Sequence, residues 1–333
     1  MSQIDIADLF QQFQELKVAI LGDVMLDTYW WGNTDRISPE APVPVVSLKK
    51  KELRVGGAAN VALNTASLGA HTTIISMIGD DVEGRELCTL LSQFQINTNY
   101  LITNPGRITT NKTRVMSRNQ QMMRLDAEIT SDITPIMEAA LLESIEKYFA
   151  TEKPDVLIFE DYNKGVLTEG LIKKVIALCK EYDVITTVDP KKKNFLSYVG
   201  VDIFKPNLKE VVEGLNIVLD KVDLACMDNI HQSLQKALHH KISFITLSEK
   251  GVFFQEDKAA TIIPTHVRNI ADVSGAGDTV IAVASMVYAV TKNMLLAAEM
   301  ANIAGGLVCE EVGTAAINKE ILLKECLLLL VEA

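Results

Sequence analysis

Long apolar runs are missing from this sequence. The stretch Cys326 to Val331, for example, is far shorter than the ~20 apolar residues a membrane-spanning helix requires. An excess of positive charge is missing too. A net charge of −11 argues against a general nucleic-acid binder, which is usually basic, and leaves room only for a local basic pocket. The five cysteines (Cys88, Cys179, Cys226, Cys309 and Cys326) are scattered, form no CxxC pair and leave an odd total. They exclude a disulfide framework or a zinc site and read as buried thiols in a reducing compartment. Met1 to Lys17 alternates acids, glutamines and apolar residues, as an amphipathic helix does and a signal peptide does not. A soluble, cytoplasmic protein is expected. No GxGxxG follows the first apolar run, which disfavours a dinucleotide-binding oxidoreductase. Gly79 to Arg85 has the spacing of a GxxxxGK[ST] phosphate loop, but Arg85-Glu86 stands where Lys and Ser or Thr are needed, so that motif is rejected. With no internal repeat or low-complexity linker, residues 1–333 are expected to form a single domain.

What is present centres on Asp272-Val273-Ser274-Gly275-Ala276-Gly277-Asp278-Thr279, which opens into the apolar run Val280 to Val290. Two glycines let the backbone turn sharply and approach a ligand. The helix behind them offers unpaired N–H groups and a positive dipole end to an anion. A carboxylate at Asp278 would repel that anion unless it takes a proton from a nucleophile attacking a bound phosphate. The competing reading is a plain helix N-terminus with Asp as its cap.

The rest of the chain alternates. Strands are expected at 17–22, 72–77, 155–159, 184–188, 201–204 and 243–247, with helices near 135–150, 168–181, 208–214 and 228–240 and a hairpin over 252–263. Such alternation predicts a mostly parallel sheet covered on both faces. Polar clusters follow these strands: Asp23 and Asp27, Glu160 to Gly165, Asp189 to Lys193, Lys205 to Glu210, and Ser248 to Gly251. The C-terminal edge of a parallel sheet is where ligands bind. Segments 28–53 and 106–126 read differently. Pro42 and Pro44 interrupt the first, and the second holds Arg107, Lys112, Arg114, Arg118 and Arg124, the one basic island in an acidic chain. Together they suggest a small inserted β lid closing on an anionic substrate, or else a solvated hairpin.

Gly56-Gly57-x-x-Asn60, Asn207-x-x-Glu210 and Asp272-x-x-Gly275-Ala276-Gly277-Asp278 together resemble the ribokinase-like (PfkB) carbohydrate kinases over nearly the whole chain. Within that family the sequence looks closest to the heptose 7-phosphate kinases. The supporting runs are Gly22 to Asp27, Arg36 to Val45, Ser117-Arg118-Asn119-Gln120-Gln121 and Asp161-Tyr162-x-Lys164-Gly165. Bifunctional members continue into a nucleotidyltransferase with an HxGH motif. None of the five histidines here forms one and the chain stops at Ala333, so a stand-alone kinase is expected. Glu160 departs from the family, which usually has a small residue before Asp-Tyr.

The resemblance implies a three-layer α/β/α sandwich and transfer of phosphate from ATP to the anomeric hydroxyl of D-glycero-β-D-manno-heptose 7-phosphate, a step toward ADP-heptose for surface polysaccharide. It implies Asp278 as general base, with the N–H groups of Gly275, Ala276 and Gly277 on the transferring phosphoryl. Asp27, Gly56, Gly57, Asn60, Asp161 and Lys164 would meet the sugar, and Arg118 and Arg124 its phosphate. Asn207, Lys191, Ser248, Glu249, Gly251, Gly275, Gly277 and Asn302 would hold ATP, and Glu210 would bind Mg²⁺ through water. A monovalent cation near Asp272 and Gly313 and a homodimer paired through lid strands are further expectations. A kinase for another sugar phosphate, or a nucleotide- and sugar-binding regulator without catalysis, are the alternatives.

Overall fold

The computed structural model describes residues 5–331 apart from Asn119, Asp220 and Val267. Met1 to Ile4 of the expected N-terminal helix, Asn119 of the Ser117–Gln121 run and the chain end at Ala333 lie outside the described residues. The strands in chain order are β1 (Lys17–Gly22), β2 (Val24–Ile37), β3 (Pro44–Gly57), β4 (His71–Gly79), β5 (Asn97–Asn104), β6 (Thr110–Ser117) and β7 (Gln120–Ala127). They continue as β8 (Val156–Glu160), β9 (Ile185–Asp189), β10 (Ile203–Phe204), β11 (Ile242–Thr246), β12 (Val252–Glu256) and β13 (Ala259–Ile263).

Nine strands form one sheet in the order β13-β12-β11-β10-β9-β8-β1-β4-β5. It is parallel from β11 to β5, and β12 and β13 continue it antiparallel. Parallel strands buried on both faces must be apolar at every position, and β1 shows the consequence. Its Val18 and Ile20 pack into one core with helices Ala58–Ser67, Ala276–Thr291 and Met294–Val308. Its Ala19 and Leu21 pack into the other, with helices Pro135–Thr151, Glu169–Glu181 and Leu224–Leu238. The result is the expected three-layer α/β/α sandwich, helices on both faces of a mostly parallel sheet. The second sheet has the order β3-β2-β6-β7. Among the described residues no helix is long and apolar enough to cross a membrane.

Helix starts follow capping chemistry. Thr134 accepts from Met137 N–H with Pro135 at the first position, and Thr168 accepts from Leu171 N–H, which satisfies donors that a helix start leaves free. Asp81 caps helix Val82–Gln93, so the Gly79–Arg85 stretch, rejected above as a phosphate loop, is a helix start. Asp27 lies within β2, which only Asp23 separates from β1.

One buried pair away from the cleft gives a pH dependence. His231 Nδ1 and His240 Nε2 lie 2.9 and 2.6 Å from the same Ser243 hydroxyl. Burial, with His231 adding to it, drops His240 to about 4. The unfolded chain takes up that proton first, so stability is full above about 6.5 and is lost as pH falls toward 4, by on the order of 2–3 kcal/mol. Urea unfolding at pH 7 and pH 4.5 should show this loss in the wild type and a smaller one in His240→Gln.

Candidate active site

Alternation along neighbouring strands decides which acids meet. Glu160 ends β8 and pairs in register with Asp189, which ends β9. Directly opposed residues point to the same face, here the face covered by helix Ala276–Thr291. Glu160 and Asp189 therefore lie beneath the first turn of that helix, together with Asp278. One carboxylate oxygen from each falls within 4.8 Å of the others. Lys205, just past β10, donates to Asp189 Oδ2 at 2.7 Å, and Lys191 bridges Asp189 Oδ1 at 2.9 Å and Glu210 Oε1 at 2.6 Å.

Asp278 is not the helix cap. Gly275 is the cap residue, with φ +81° and no side-chain cap bond. A Cβ there would lie 2.8 Å from Asn60 Nδ2, so glycine is required on both conformational and steric grounds. The Asp278 carboxylate instead receives Asn60 Nδ2 at 2.7 Å and the Tyr162 hydroxyl at 2.8 Å. Burial pushes its pKa up to about 6 against the pull of those two donors, with Asp189 adding to the rise. A buried, hydrogen-bonded carboxylate beside a helix N-terminus that no side chain caps is suited to accept a proton next to a bound anion.

On one side of this point lies a pocket of about 1060 Å³. Asn207, Ser248, Glu249, Gly251, Ala276, Gly277 and Asn302 all line it. Asn207 and Glu210 also form a capping box, in which Asn207 Oδ1 receives Glu210 N–H at 2.9 Å and Glu210 Oε2 receives Asn207 N–H at 2.8 Å. Both Glu210 oxygens are thus engaged, the second by Lys191. Asn302 donates to Pro264 O at 2.8 Å. Gly313 N–H donates to Asp272 Oδ2 at 2.9 Å, and Asp272 Oδ1 receives the Ser274 backbone and hydroxyl.

On the other side Asp27 pairs with Arg114. Gly56, its neighbour, leaves that carboxylate room, since a Cβ there would come within 2.5 Å of Asp27 Oδ2. Gly57 has φ +58° and starts the helix that carries Asn60. Lys112 lies opposite Asp27 across β2 and β6, and over the Tyr162 ring at 5.3 Å. Burial lowers the Lys112 pKa, Asp27 opposes this, and Lys164, Arg124 and Arg114 lower it further. These four cations therefore gather near one place. Lys164 is paired with Glu128 at 2.8 Å and Arg124 with Asp126 at 2.8 Å.

Two expected contacts are corrected. Arg118 sits at the turn into β7, largely exposed and paired with Asp35 at 3.0 Å, four residues along from Arg114. Asp161 has the opposite strand parity to Glu160. It turns under the loop, where Asn163 N–H, Asn194 Nδ2 and the Tyr198 hydroxyl fill its oxygens, so it supports the loop and does not face the cleft. Sequence reasoning also put several residues at the sheet edge without giving them a role. Asp23 receives the backbone N–H groups of Tyr162, Lys164 and Val166 at 2.9, 3.0 and 3.0 Å, and Asp189, Lys205 and Tyr162 surround Asp278. Strand parity was the available signal for Asp189 and Lys205. Nothing signalled the anchoring role of Asp23, whose partners are backbone groups 139 or more residues away.

A large pocket and a basic cluster thus flank one buried carboxylate at the C-terminal edge of a parallel sheet, an arrangement with room for two ligands on either side of a group able to accept a proton. The chain belongs to the pfkB family of carbohydrate kinases, whose pattern matches residues 15–321. It is a sugar kinase, transferring phosphate to a hydroxyl. It is 36% identical over 302 residues to the bifunctional protein HldE of Sulfurimonas denitrificans, covering 91% of this chain and 62% of that protein. The chain spans 62–65% of the length of the HldE relatives it matches. Escherichia coli phosphofructokinase-2 in complex with potassium shares the fold, with a TM-score of 0.77 at 16% identity over 93% of this chain and 97% of that one. Arabidopsis thaliana ribokinase complexed with ribose and ATP does too, with a TM-score of 0.72 at 15% identity over 93% and 99%.

Proposed function

We propose that this chain phosphorylates the anomeric hydroxyl of D-glycero-β-D-manno-heptose 7-phosphate with ATP, giving the 1,7-bisphosphate, in the cytoplasm. The observation that carries the proposal is Asp278 standing between the nucleotide-sized pocket and the cations Lys112, Arg114, Arg124 and Lys164. Four cations at the sugar end suit an acceptor that already bears phosphate, which a neutral sugar does not.

In this reading Asp278 accepts the hydroxyl proton as attack begins. Asn60 and Tyr162 hold its carboxylate in place. The N–H groups of Gly275, Ala276 and Gly277 meet the transferring phosphoryl, aided by the helix dipole. Asp27 receives sugar hydroxyls between Gly56 and Arg114. Asn207, Ser248, Glu249, Gly251 and Asn302 border the nucleotide, with Lys191 at its phosphates. ATP arrives with Mg²⁺, which neutralises phosphate charge when bound. The lysines and carboxylates under the helix suit such a ligand, and Glu210 would reach the ion through water once Lys191 turns to phosphate.

Lys112 replaces Arg118 as the principal holder of the sugar phosphate, because it makes no ion pair with any described residue while its neighbours are paired. Lys112→Met should raise KM for the phosphorylated sugar roughly tenfold or more, the worth of one charge-assisted contact, with KM for ATP unchanged. Loss of ATP affinity with sugar affinity intact would contradict the assignment. An ADP-release assay across heptose 7-phosphate, unphosphorylated heptose, fructose 6-phosphate and ribose tests the substrate. Heptose 7-phosphate should have the highest kcat/KM, and a higher value for another acceptor would overturn the proposal.

The lid strands also support a homodimer. β3 and β7 are the edges of the second sheet, and Ile37, Val43, Leu48, Met123 and Leu125 on them and nearby are exposed. Open apolar edges favour pairing with another strand. Light scattering at micromolar concentration should give a dimer, and Leu125→Lys should shift it toward monomer.

A further inference from the structure

Glu160 is the one acid of the cleft with nothing to bind. It is fully buried, yet among the described residues neither carboxylate oxygen has a hydrogen-bond partner. Leaving a buried carboxylate unpaired costs several kcal/mol, so such groups are ordinarily paired, protonated or bound to metal. Its two nearest acids are Asp189 and Asp278, and one oxygen from each of the three comes within 4.8 Å of the others. Their other contacts are already set: Lys191 and Lys205 on Asp189, Asn60 and Tyr162 on Asp278. Lys191 pairs with Asp189 and Glu210 and Lys205 with Asp189, so among the described residues no cation pairs directly with Glu160 or Asp278.

We propose that Glu160, Asp189 and Asp278 form a binding site for a divalent cation that this chain takes up on its own, before any nucleotide. An all-oxygen, all-carboxylate donor set selects a hard ion such as Mg²⁺ or Mn²⁺. The three oxygens lie within 4.8 Å of one another, so gathering them round one ion at about 2.1 Å takes movements of up to roughly an ångström, and Glu160, with no partner to give up, is the group that can move. The site differs from the one expected at Glu210 in being built round Glu160, whose two oxygens have no partner among the described residues. It lies under the phosphoryl-accepting helix N-terminus, so a cation there keeps Asp278 ionised and joins the electrostatics of transfer. The proposal does not depend on which sugar is the acceptor.

The test uses the full chain with Mn²⁺ alone, without nucleotide or sugar, read by electron paramagnetic resonance of free Mn²⁺ and by thermal unfolding. The wild type should bind one Mn²⁺ per chain and melt at higher temperature with it. Glu160→Gln keeps the shape of the side chain and removes its charge, and should bind at least tenfold more weakly and lose the thermal shift. Glu160→Ser is the second variant should the first fail to fold. Equal Mn²⁺ binding by wild type and variant, or no binding by the wild type at millimolar Mn²⁺, overturns the proposal. With no nucleotide or sugar in the experiment, either outcome leaves the acceptor assignment to be judged by the assay above.

Discussion

Asp278→Asn should lower kcat by roughly a thousandfold, within the ~10²–10⁴ range of a positioned general base, with the folded structure retained. Retention follows from the partners. The Asn60 amide can donate to the new carbonyl oxygen, and the Tyr162 hydroxyl, now facing an NH₂ group, can rotate to accept instead of donate. The site therefore keeps its shape while losing a group able to hold a proton. KM for ATP should change little, because the helix N–H groups stay in place. Steady-state kinetics with a circular dichroism control checks this. A variant that turns over at the wild-type rate removes Asp278 as the base.

The second large effect is on stability. Asp23→Ala should destabilise the chain by about 3 kcal/mol, since it strips one buried carboxylate from three backbone donors and each such bond to a charged group is worth ~1.5–3 kcal/mol before the cost of burying the charge is offset. Those donors belong to Tyr162, Lys164 and Val166, so the loss also frees the loop that brings Tyr162 to Asp278 and Lys164 to the basic cluster. A shift in urea midpoint should therefore come with a raised KM for the sugar. A change below about 1 kcal/mol, the worth of a single ordinary hydrogen bond, would mean that Asp23 does not anchor the loop.

Most strands of the main sheet could be read from sequence because parallel strands buried on both faces leave continuous apolar runs, as Lys17–Gly22 and Val156–Glu160 do; the edge strand Asn97–Asn104, half-exposed and polar, leaves no such run and was missed. The glycine turn into helix Ala276–Thr291 was equally legible, since its conformation demands particular residues. Asp161 was misread because the identity of a residue does not say which face of a strand it takes; its neighbour Glu160 points at Asp278 and Asp161 points away. Asp23 was undervalued because its partners are backbone atoms, which no sequence spells out. Arg118 and Lys112 look alike as members of one basic island. Only the pairing of β6 with β2 separates the one opposite Asp27 from the one at the turn.

The most direct measurement of the central claim is phosphorus NMR of the product formed from ATP, Mg²⁺ and D-glycero-β-D-manno-heptose 7-phosphate by the full chain. The account predicts a second sugar phosphate resonance coupled to the anomeric proton, appearing in step with ADP and absent with Asp278→Asn. Phosphate appearing on any other hydroxyl, or no new sugar phosphate while another acceptor is consumed, would contradict it.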